Sequence, residues 1–133
     1  MRHLLSVAWF VPLSRIILRE VCSPDAPDAD AALTAYNVLA VQNGHTLVEA
    51  HPLTGRTHQL RVHFASIGHP ITGDDLYGTP SPDIPRHALH ARRLVFLHPT
   101  DGRLMELQAP PTADFSALLR LYFPTYPSER NSK

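Results

Sequence analysis

The run HPLTGRTHQLRVHFASIGHPITGDDLYG, residues 51–78, holds the densest set of chemistry-bearing side chains in the sequence. Leu60, Phe64 and Ile67 recur at helical spacing, which predicts a short helix of about three turns over Thr54–Ile67. Thr54 or Thr57 is placed to cap its start, and Gly68 to close its end. Arg56, His58, Gln59, Arg61 and His63 cluster at that start. Unpaired N–H groups at a helix N-terminus, with an arginine beside them, favour an anion such as phosphate. The stretch therefore points to a phosphorylated partner.

Working outward, Leu33–Val41 and Thr46–Leu53 are rich in β-formers, and Asn43-Gly44 between them suits a tight hairpin turn. They are expected to pair antiparallel. On the other side, GHPITGDDLYG and the prolines at 80, 82 and 85 predict a loop. Ala88–Leu97 and Arg103–Ala109 then read as two more strands joined through Asp101-Gly102. Thr112 is placed to cap a final helix whose apolar face is Phe115, Leu118, Leu119 and Tyr122, ended by Pro124. Strand pairs and short helices in this order predict an α+β fold.

Three segments follow. Residues 1–32 form an atypical N-terminal segment ending in CSPDAPDADAA, an acidic, proline-bearing loop or linker; 33–126 form the folded body; 127–133 are expected to be a mobile tail. Met1–Val21 loosely imitates a secretory signal, but Pro12 breaks the apolar run, and it is shorter than the roughly 20 residues a membrane span needs. A strand or helix whose packing partner lies upstream is the better reading.

At 133 residues the chain suits one domain, and its 44% apolar and 18% charged residues argue against a wholly disordered polymer. The formal charge of zero by itself gives no sign of a nucleic-acid partner, because a zero sum can hide a local basic face. Eleven of the twelve basic residues are arginine, whose planar fork binds phosphate or carboxylate at two points as lysine cannot, with solvated surface charge as the plain alternative. The single cysteine, Cys22, excludes an internal disulfide and fits a reducing compartment. Metal ligation fits poorly: His58 and His63 would stand about 140° apart on a helix, and His87 and His90 lie in a strand-like pattern. Neither a G-x-S-x-G elbow nor a P-loop occurs. Asp74 and Asp75 could serve as acid and base, although a Gly-Asp pair in a glycine-rich turn is more often a structural acceptor.

These residues resemble a known family. LTGRTHQLRVHFASIGHPITGDDLYG (53–78) is similar to the signature of the RluA-type RNA pseudouridine synthases, and ALHARRLVFLHPTDG (88–102) and LQAPP (107–111) resemble its next landmarks in order. Thr34–Leu39 is similar to the strand before the signature, so the resemblance covers about residues 33–121. It implies a mixed, mainly antiparallel sheet with flanking helices and no cofactor. It also implies a cytoplasmic enzyme acting on structured RNA, ribosomal or transfer, and not on DNA or a membrane. Arg61 matches the arginine that pairs with a catalytic aspartate; Arg56, His58, Gln59 and His63 match the rest of that motif; Leu89 matches an apolar residue of the base pocket. The aspartate belongs to a His-Arg-Leu-Asp segment, and a base-stacking tyrosine to a Tyr-x-Ala strand, neither of which occurs in these 133 residues. The expectation is thus the C-terminal part of a catalytic domain, inactive alone, with an inactive RNA-binding remnant as the alternative. Arg61 would then lack its partner and the chain would be fragile.

Overall fold

The computed structural model describes residues 3–12, 19–23, 25–27 and 29–127, with side chains from residue 22 onward. Its largest element is an antiparallel sheet of β1 (His3–Pro12), β2 (Arg19–Cys22), β3 (Asp30–Gln42) and β4 (His45–Pro52), in the order β2-β1-β3-β4. β1 is a strand, as one of the two readings of the N-terminal segment had it. Its backbone partners lie downstream, however, in β2 and β3. The expected loop through Ala32 also ends early: Asp30, Ala31 and Ala32 belong to β3, and Ala32 is fully buried. Small alanines on a sheet face let the layer above approach closely, which an eye for large apolar groups overlooks.

β3 and β4 pair from Thr34↔Pro52 to Gln42↔His45. Asn43 and Gly44 both take positive φ, 53° and 74°, the left-handed pair that a two-residue hairpin requires and that asparagine and glycine tolerate. This hairpin was legible in the sequence.

The helix α1 (Gln59–Ser66) is shorter than expected and is not capped by a threonine; the residue before it, His58, sits at φ 57° with no side-chain cap. Its inner face also differs. Gln59, Val62 and His63 are buried against β3 together with Phe64, while Ile67 is exposed. Phe64 meets Tyr36 edge-on, with ring centroids 5.6 Å apart. Ala32 and Val62 form the buried contact beneath α1, with Tyr77 against them.

Past α1 the chain crosses the predicted glycine-rich loop to a second antiparallel pair, β5 (Arg93–Leu97) and β6 (Leu104–Gln108), which shares no ladder with the four-stranded sheet. β5 starts five residues later than predicted because the polar groups of residues 88–90 are used elsewhere. Ala88 N–H donates to Thr72 O, the Leu89 carbonyl accepts from Arg86, and His90 bonds the Ala109 carbonyl. In the hairpin Leu94 opposes Leu107 and Phe96 opposes Met105, so one face is wholly apolar, and Leu94 and Leu107 are more than half exposed. All the described ladders are antiparallel, and with two short helices the fold is α+β.

The last helix, α2 (Ala113–Tyr122), buries Leu118 and is followed by buried Phe123. Thr112 precedes it as expected, but its hydroxyl donates to Asp114 Oδ1 instead of capping a backbone N–H. Arg86 grips Asp114 at two points, 2.9 and 3.1 Å, and holds its carboxyl well below the usual carboxylate range, with Thr112 adding to the effect. At its other end α2 meets the β3–β4 turn: Asn43 donates to the Tyr122 carbonyl and His45 stacks on the Tyr122 ring. Residues 128–133 of the expected tail lie outside the described residues.

One glycine of the loop is irreplaceable on geometry. Gly73 has φ 78°, and a Cβ there would stand 2.3 Å from the Arg86 carbonyl oxygen and 2.9 Å from Ile84 Cγ2. Gly68 shares the positive φ, 81°, but faces open space. Gly73→Ala is therefore expected to lose roughly 3 kcal/mol or more of unfolding free energy and Gly68→Ala about 1 kcal/mol, measured by urea titration. Equal losses would show that the close approach at Gly73 carries no weight.

Candidate functional site

α1 reaches β3 through one carboxamide. Gln59 Oε1 accepts from the Thr54 hydroxyl (2.7 Å) and the Arg56 N–H (3.0 Å), while Nε2 donates to the Leu33 carbonyl (3.0 Å) and to Thr34 Oγ1 (2.9 Å). Thr54 in turn accepts from Leu33 N–H at 2.9 Å. The Thr34 hydroxyl lies 2.7 Å from His63 Nδ1. His63 is 1% exposed, and burial pushes its imidazole below the ordinary value. The motif's second histidine is thus a packed, neutral link between helix and sheet, turned away from any surface ligand; its expected place beside an RNA backbone is not where the fold puts it.

On a helix, residues two apart point about 200° apart. Turning Gln59 inward therefore turns Arg61 outward, toward the loop that follows. There Asp74, with no exposed side-chain surface, receives the guanidinium at two points: Nε to Oδ2 at 2.9 Å and Nη2 to Oδ1 at 2.7 Å. Asp74 Oδ1 also accepts the N–H groups of Leu76 and Tyr77 at 3.0 and 3.1 Å. Burial disfavours the charged carboxylate, but the Arg61 hydrogen bond and the two N–H donors outweigh it and hold the carboxyl down at about 2. The Asp74 hydrogen bond likewise raises Arg61 against the opposing effect of burial. The expectation that Arg61 would be an orphaned charge is corrected by these distances: its partner is the Gly-Asp turn thirteen residues on. Asp74 is a structural acceptor, as the turn chemistry suggested, and it is also an ion-pair partner.

Between the end of β4, the start of α1 and the segment before β5 lies an open cleft of about 470 Å³. Arg56, His58, Gln59, Arg61 and Leu89 all line it. Five of the six residues singled out from the sequence meet there; His63 does not. Arg56 is exposed, and its guanidinium donates from Nε to the Ala31 carbonyl at 3.0 Å. Leu89 supplies apolar wall opposite, and no carboxylate lines the cleft among the described residues. The combination of two guanidinium groups, imidazole and an apolar wall suits a ligand with a phosphate and a flat ring. His87 also lines the cleft, and sequence reasoning missed it because its flanks read as ordinary strand. Tyr77, behind the cleft, was missed too: its hydroxyl meets His58 Nδ1 at 2.8 Å and its ring lies 5.3 Å from the Arg61 guanidinium carbon. Among the described residues no group of three His, Cys, Asp or Glu side chains is arranged to hold a metal.

Comparison with known proteins adds the following. The sequence model described as RNA pseudouridylate synthase matches residues 12–66. An uncharacterized RNA pseudouridine synthase, YhcT of Bacillus subtilis, is 45% identical over 100 residues, 74% of this chain and 33% of that protein. The dual-specificity RNA pseudouridine synthase RluA of Pasteurella multocida is 47% identical over 83 residues, 60% of this chain and 38% of that protein. The solved structure of human RNA pseudouridylate synthase domain containing 1 superposes with a TM-score of 0.64 at 32% identity, covering 83% of this chain and 48% of that one. The chain spans about a third of the length of the curated relatives it matches.

Two ionisable groups make the acid response of this site specific. His63, lowered by burial, contributes stability that is complete above the ordinary imidazole value of 6.5 and is lost as pH falls below it. Asp74, depressed from 3.8 to about 2, contributes stability that is complete above pH 4 and is lost between about 4 and 2, on the order of 2 kcal/mol. Unfolding free energy measured against pH is expected to fall in these two steps. Asp74→Asn is expected to lose about 3 kcal/mol at pH 7, because it breaks the Arg61 ion pair, and to flatten the lower step. A lower step of unchanged height in that variant would show that other carboxyls produce it.

Proposed function

The chain belongs to the RluA-type RNA pseudouridine synthase family, and on that premise we propose that its 133 residues are the C-terminal part of a synthase catalytic domain. The reaction would be isomerisation of a uridine in structured ribosomal or transfer RNA in the cytoplasm: the bond from the sugar to N1 of the base breaks, a bond to C5 forms, and the C5 proton leaves. The observation that carries this reading is the cleft, where Arg56 and Arg61 stand beside His58 and face the apolar wall of Leu89. Arg56, exposed at the mouth, suits an RNA phosphate; the apolar wall suits the uracil face; Arg61 suits a carboxylate brought to the sugar. Such a carboxylate is the group the cleft lacks among its described lining residues. Asp74 does not replace it, since both its oxygens are engaged and it has no exposed surface. The His-Arg-Leu-Asp segment that would supply it is absent from these 133 residues.

The engaged state of Asp74 also supports the second reading, an RNA-binding surface without catalysis. The two separate cleanly in experiment. RNA carrying tritium at C5 of uridine is expected to release no label with this chain alone, and to release it when the chain is joined to a relative's His-Arg-Leu-Asp portion. Release by the chain alone would overturn the claim that its catalytic carboxylate is missing; no release from the joined protein would leave the binding surface as the function.

Binding itself has an electrostatic signature. Arg56→Ala is expected to weaken RNA binding and to reduce the slope of log affinity against log salt by about 0.7, one phosphate contact on a single strand. Thermal unfolding should be nearly unchanged, because the side chain is exposed. A slope identical to the parent's would remove Arg56 from the interface.

A further inference from the structure

His58 is one of two non-glycine residues with positive φ among those described, the other being the hairpin residue Asn43. Asn43 is in a hairpin turn that demands this conformation, and His58 is in the turn closed by the Gln59 N–H on the Arg56 carbonyl at 3.0 Å, immediately before α1. The side chain that this turn presents meets Tyr77. Its hydroxyl is 2.8 Å from His58 Nδ1, the two rings meet edge-on at 5.6 Å and 73°, and the same phenol ring lies 5.3 Å from the Arg61 guanidinium carbon. One side chain thus touches both basic groups at the back of the cleft. Tyr77 is in turn tied down through its own backbone, whose N–H donates to Asp74 Oδ1, the atom that also receives Arg61 Nη2.

We infer that Tyr77 is a positioning residue for the RNA cleft, setting the direction of the His58 imidazole. The inference rests on the RNA reading above for its consequence, though not for its geometry. A hydroxyl can donate to Nδ1 or accept from it, so what the contact fixes is the direction of the ring and of its Nε2. Asp74 occupies Nε and Nη2 of Arg61, so the edge bearing Nη1 is the one left to face a ligand.

The test uses the full chain with ¹⁵N-labelled histidine and a single-stranded uridine-containing RNA. In the parent chain His58 Nδ1 is expected to show the shift of a hydrogen-bonded ring nitrogen; the averaged values of a free imidazole would overturn the inference. Tyr77→Phe keeps the ring and removes only the hydroxyl. It is expected to remove that hydrogen-bond shift and to lower RNA affinity about fivefold, the scale of one misplaced hydrogen bond. In a His58→Ala background the same change is expected to cost little further affinity, whereas fully additive losses would show that Tyr77 does not act through His58. Unchanged His58 signals in Tyr77→Phe would likewise overturn it. If the parent chain binds no RNA at low salt, the RNA reading fails, and the His58 signals still decide whether Tyr77 positions the imidazole.

Discussion

The Gln59 carboxamide is the joint on which the rest of the structure turns. Its two oxygen acceptor positions and two N–H donors are all used, by Thr54, Arg56, Leu33 and Thr34. A buried amide that lost any of these would forfeit the water it gave up on folding and gain nothing in exchange. The network therefore behaves as a unit: the start of β3, the loop after β4 and the first turn of α1 are set in one step. Once Gln59 and His63 face the sheet, helical geometry sends Arg61 to the other side, and the cleft has its wall.

The ion pair between Arg61 and Asp74 is a second fixed point, of a different kind. Both groups surrender water, so the pair adds less stability than its short distances suggest. What it specifies is position. Asp74 is held by two N–H groups of its own turn and cannot follow Arg61 elsewhere, so the guanidinium must come to the loop. Gly73 makes this possible by letting the chain pass against the Arg86 carbonyl, and Arg86 then carries the tie onward to Asp114 and α2. A chain of polar contacts thus runs from the cleft to the last helix without depending on a thick apolar core.

How much of this was legible varied with the range of the forces involved. Turns governed by local backbone preference were readable: Asn43-Gly44 and Asp101-Gly102 announced both hairpins, and Thr112 through Pro124 marked α2 within a residue or so. The inner face of α1 was legible only at Phe64: apolar spacing pointed also to Leu60 and Ile67, while the sheet is met by hydrogen-bonding Gln59 and His63. Periodicity of apolar residues cannot report a polar interior. The early end of the acidic loop at Asp30 and the late start of β5 at Arg93 were decided by pairing with distant strands and by long-range donors. Of the site, the resemblance singled out Arg56, His58, Gln59, Arg61 and Leu89, which line one cleft, but no local signal links Arg61 to Asp74 or His58 to Tyr77. Those contacts exist only after the chain has closed its loop.

The β5–β6 ribbon, lastly, has a consequence for the time domain. Its ladder closes over a short turn and shares no strand pairing with the larger sheet. Such a ribbon forms within microseconds of its residues being free, because little chain must be immobilised to bring its strands together. Two strands with half their apolar face in water are marginal by themselves, so its amides open in a sub-global step well below the free energy of complete unfolding. A ribbon that is quick to assemble is here also quick to exchange its hydrogens. The slow-exchanging amides belong to the β3–β4 ladder beneath α1, so protection against exchange would map the cleft's scaffold directly.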